Sequence, residues 1–143
     1  MKPYAKVMAI SILVTAVGLL TAIGPARADD WQPLRDDPRM NSGLTVIAVG
    51  RHIHNVCPDI NARLLRALGF AEGLVGHAQD LGYSRSEVNA FIDDPAEQDR
   101  YREVARSYFA QNGADMDDPE SVCQVGRDEI AAGSTIGRLL RGG

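Results

Sequence analysis

After Lys6 the chain contains no lysine: beyond residue 28, 12 arginines face 19 aspartates and glutamates, a net charge of −7 against −4 for the whole 143 residues. A surface of that sign lacks the basic face that nucleic acid or anionic lipid needs, so neither is an expected partner. Cysteine is scarce as well. Cys57 and Cys123 are the whole complement, and neither belongs to a C-x-x-C, which weighs against zinc sites and thioredoxin-like redox centres. Of the three histidines, His52 and His54 lie two positions apart, about 200° around a helix, where they cannot share a metal. No phosphate loop or dinucleotide fingerprint occurs, so no cofactor is expected. Gly82-Tyr83-Ser84-Arg85-Ser86 lacks the closing glycine of a nucleophile elbow. Asp115, Asp117, Asp118 and Glu120 have no EF-hand glycine, and Gly126 stands where the bidentate glutamate belongs.

What is present begins with a short basic stretch, Met1 to Lys6. An apolar run from Val7 to Ile23 follows, then Gly24-Pro25 and the small-residue pattern Ala26-Arg27-Ala28. This order reads as a secretory signal cut after Ala28, with an uncleaved anchor as the alternative. Residues 1–28 are then the signal and 29–143 a single domain, exported to an oxidising periplasm and free of the membrane once cut. In that compartment two cysteines predict one Cys57–Cys123 disulfide, 66 positions apart; a redox-active or metal-binding pair is the alternative.

Asp-Asp-Pro occurs at 36–38, 93–95 and 117–119. Aspartate accepts from free first-turn N–H groups, and proline at the first helical position sacrifices no bonded N–H, so each copy marks a helix start. The expected fold is all-α with about five helices. They run from about Pro38 to Val56, from about Pro58 to Leu81, from the capping box Ser84-Arg85-Ser86-Glu87, from Pro95 to Gln111, and from Pro119 toward Arg141 with a re-cap at Ser134. The β-branched residues of the first leave a strand open for that segment alone. In the fourth, Tyr101, Tyr108 and Phe109 form a core stripe, while Glu97 with Arg100, Asp99 with Arg102 and Glu103 with Arg106 are i,i+3 pairs of a solvated face. Trp31 and Leu34 are expected to pin the N-terminal arm.

Gly69 with Gly73, and Gly133 with Gly137, are each four apart and predict smooth patches where two helices meet, at similar distances beyond Cys57 and Cys123. Arg63 and Glu129 each lie six positions past a cysteine and are predicted to pair between the second and fifth helices.

Cys57-Pro58 with Arg63, the Gly82-Tyr83-Ser84 corner with Glu87, Gly113, and the block Cys123-x-x-Gly126-Arg127-x-Glu129-Ile130 followed by Ser134-x-Ile136-Gly137-Arg138-Leu139-Leu140-Arg141 resemble a domain-of-unknown-function family of small exported alphaproteobacterial proteins. Val122 departs from it, standing where an aromatic is usual. The resemblance implies export and a compact helical domain, without activity or ligand. With no catalytic constellation, the sequence points to a non-enzymatic periplasmic protein with a binding or envelope-maintenance role and an unknown protein or envelope partner. An acid-stress holdase is the alternative, and a small enzyme the third reading.

Overall fold

The computed structural model describes residues 31–143; the segment read as a signal lies outside them. A short helix α1 (Gln32–Asp36) leads into α2 (Pro38–Val56), with Asp37 accepting from Met40 N–H and Pro38 in the first turn. The strand alternative for this segment is therefore excluded. Cys57 ends α2 with extended backbone, the conformation that Pro58 imposes on its predecessor.

From Pro58 onward the expected helix does not form. The chain makes strand β1 (Ile60–Ala62), and α3 (Leu64–Asp80) begins only afterwards. Strand β1 pairs antiparallel with the last element, β2 (Leu140–Gly142), in the register Ile60↔Gly142, Asn61↔Arg141 and Ala62↔Leu140. The helical fold stands as expected, with one small two-stranded sheet added to it. Three residues per strand are too few to show alternation in sequence, and Ile60 and Leu140 hold the pair by being buried in the core.

The remaining starts agree with the capping signals. Ser84 and Glu87 make the full capping box of α4 (Arg85–Asp93), Asp94 caps α5 (Pro95–Gln111), and Asp118 caps α6 (Pro119–Ala132). Gly133 ends α6 in the left-handed region at φ 62°, which a glycine adopts without strain, and Ser134 caps α7 (Thr135–Leu139).

Two apolar clusters form the interior. One gathers Val49, Ile53, Cys57, Ile60, Phe109, Val122, Cys123, Ile136 and Leu140 from α2, β1, α5, α6, α7 and β2. The other joins Leu34, Met40, Leu44, Leu74, Val88, Phe91 and Tyr101 from α1 to α5. Only α2 and α5 contribute to both, so they are the walls common to the two halves. Trp31 meets Phe91 edge-on at 5.6 Å and Leu34 is fully buried, so the N-terminal arm is pinned as expected.

Candidate functional site

The disulfide Cys57–Cys123 is formed, with Cα atoms 5.5 Å apart, and both residues are buried. The other residues expected to work beside it do not meet. Arg63 Nε donates to the Leu140 carbonyl at 2.8 Å, whereas Glu129 accepts from the Tyr108 and Ser134 hydroxyls. No Arg63–Glu129 ion pair exists. The register argument counted helical rise from Cys57, but residues 58–63 are strand and turn, so the height match is lost.

The same displacement undoes the meeting of the glycine patches. Nothing lies where a Cβ on Gly69 or Gly73 would sit; the two line an open groove between α2 and α3 with Arg39, Phe70 and Thr135. Gly133 serves as a helix terminus. Gly137 is the position of closest approach, where an added Cβ would fall 1.9 Å from the Glu129 carbonyl oxygen. Gly126, not singled out by spacing, has the comparable role against Ile53 and Ile60.

Groups with chemistry in them are engaged in holding the fold. The His52 and His54 rings reach different backbone carbonyls, of Met116 and Ile60, and His77 Nε2 lies 2.9 Å from Asp37 Oδ1. No cluster of three or more metal-ligating side chains occurs among the described residues. Asp115, Asp117 and Asp118 are taken by the Asp117 amide, by Arg106 and by the start of α6.

The most polar buried feature is Glu97, held at 2.7 Å by Arg35 Nε and at 2.9 Å by Arg100 Nε. Arg100 also donates to the Tyr101 hydroxyl, which donates to Asn41 Oδ1. Burial raises the Tyr101 phenol above its ordinary value, although the nearby Arg100 pulls the other way. The network lies beneath an open cleft of about 360 Å³ between α2 and α5, whose mouth carries Arg51, His52 and Arg102. The Glu97 oxygens are thus occupied by the two arginines, and the Tyr101 hydroxyl has neighbours on both sides.

Helix α3 carries the opposite situation. Its first two turns expose Leu64 at 66%, Leu65 at 85% and Leu68 at 53%, large apolar side chains side by side on one short stretch of helix. Arg63, Arg66 and Arg141 share a concavity with Ala62, Leu64 and Leu65 that contains no acid. Ion pairs occupy Arg35, Arg85, Arg100, Arg102, Arg106 and Arg127; none among the described residues reaches Arg63, Arg66 or Arg141. No side chain caps α3 and no acid lies in its first turn, so the positive end of its dipole adds to the arginines.

Sequence reasoning missed this face because Leu64 stands at helical spacing with Ala67, Ala71, Leu74 and Ala78, the pattern of a buried stripe. The adjacent pair Leu64-Leu65 was the available signal. Neighbours on a helix diverge by about 100°, so a narrow stripe cannot bury both.

A family model described as a family of unknown function, DUF5333, matches residues 32–141. The chain belongs to that family. The DUF5333 match spans every helix and β1, and reaches into β2. Membership in DUF5333 brings no ligand or activity with it. No curated protein and no solved structure matches the chain.

Proposed function

We propose that this is an exported, non-enzymatic binding protein of the bacterial envelope, and that its working surface is the N-terminal half of α3. The observation that carries the reading is the exposure of Leu64, Leu65 and Leu68 in a domain whose acids and histidines largely serve caps, ion pairs and backbone contacts. An unoccupied apolar face costs solubility, and such patches mark interaction sites. Export is supported by the buried disulfide, a bond that persists in an oxidising compartment.

The test is cell fractionation. The protein is expected in the envelope fraction after gentle lysis, and the Leu64→Ser/Leu65→Ser/Leu68→Ser variant in the soluble periplasmic fraction with unchanged circular dichroism. Identical fractionation of the two proteins would overturn the assignment of α3 as the working surface.

A further inference from the structure

We propose that the α3 face docks on an anionic phospholipid surface. Leu64, Leu65 and Leu68 enter the boundary between headgroups and acyl chains, while Arg63, Arg66 and Arg141 meet the phosphates. This deepens the binding role proposed above, on which it rests, by naming the partner's chemistry.

Charge complementarity decides the occupant. The concavity at Leu64 and Leu65 is lined by arginine and no acid, the Glu72 carboxylate one turn beyond Leu68 is neutralised by Arg85, and Arg66 and Arg141 make no side-chain hydrogen bond or ion pair among the described residues. A second copy would bring arginine against arginine. An occupant that is both apolar and anionic answers both features, and a bilayer of acidic lipid presents those two properties in one plane. Arginine suits the position because its guanidinium forks onto phosphate oxygens and its stem can lie along apolar surface.

The excess of acids elsewhere does not forbid this, because at physiological salt charges separated by more than about 8 Å are largely screened. It sets an orientation: only a pose with α3 toward the bilayer is attractive. The composition-level expectation of no membrane partner is thereby replaced by a local one.

The experiment uses protein purified from the periplasm as the cell processes it, sedimented with phosphatidylglycerol-containing vesicles and, separately, with pure phosphatidylcholine vesicles. Binding is expected to the first and not the second, and to fall as salt is raised. Arg66→Glu/Arg141→Glu and Leu65→Ser/Leu68→Ser should each weaken it by more than about tenfold, while Arg102→Glu on α5 leaves it unchanged. Absence of vesicle binding, or binding that both α3 variants retain, overturns the lipid proposal. If the leucine variant is lost from the envelope fraction of cells yet no vesicle is bound, the binding role stands and the partner is an acidic protein. If fractionation ignores the leucines as well, the binding role falls with it.

Discussion

Glu97 is the one buried charged side chain among the described residues, although its i,i+3 spacing to Arg100 is that of an ordinary surface pair. What the spacing could not show is Arg35, brought from 62 residues away to the other carboxylate oxygen. Removing one partner from such a cluster strands the rest, so Glu97→Gln is expected to lower the unfolding free energy by about 3 kcal/mol, whereas Asp99→Asn, at the exposed Arg102 pair, costs under about 1. Urea titrations at neutral pH measure both. Tyr108 makes a separate case: burial first, then its hydrogen bond to Glu129, pushes the phenol up to about 12. A pKa raised on folding contributes stability that is complete below the unfolded value of about 10 and is lost as pH rises through the folded one. Absorbance at 295 nm should accordingly show a late phenol step near pH 12 that Tyr108→Phe abolishes; if every tyrosine has ionised by pH 11, Tyr108 is not held as described.

At the scale of the element, the helix starts at Pro38, Pro95 and Pro119 were legible because capping chemistry is local: an aspartate and a proline suffice to specify each. Pro58 was misread for the same reason. A proline just after a helix and one opening the next look alike in sequence, and the deciding fact, that residues 60–62 pair with 140–142, is non-local. The glycines divide along the same line. At Gly69 an added methyl group meets open space within a helix, so Gly69→Ala is expected to stabilise by about 0.5 to 1 kcal/mol through the lost backbone freedom of the unfolded chain. At Gly137 it meets the backbone of Glu129, which cannot swing aside as a side chain would, and Gly137→Ala should cost about 3 kcal/mol. Thermal melts of the two variants on either side of the parent check the pair; a Gly137→Ala melt equal to the parent's would contradict the contact.

For the molecule as a whole, reduction of the disulfide should lower stability by about 4 kcal/mol, since it releases a loop of 66 residues, and urea unfolding with and without reductant measures this. Acid acts on different groups. The Met40 amide, with His77, lowers Asp37; Arg85 lowers Glu72; Ser84 lowers Glu87; and Arg106 lowers Asp117. Carboxyls depressed on folding lend stability that is present above their ordinary values of 3.8 and 4.5 and lost as pH falls through the depressed ones. The near-UV signal of the Trp31–Phe91 contact should therefore fade below about pH 4. A fold that keeps that signal at pH 2 would refute both this expectation and the acid-holdase alternative, which needs an expanded acid state that protects a client protein from aggregation. The two clusters also differ in when they can form as the chain emerges N-terminus first. The cluster around Met40, Phe91 and Tyr101 is complete by residue 101, but the one around Cys57 requires Ile136 and Leu140. Cys57 must thus stay unpaired until Cys123 has appeared, and a chain cut short between Cys123 and α7 would hold the bridge without Ile136 and Leu140 to complete the packing around it.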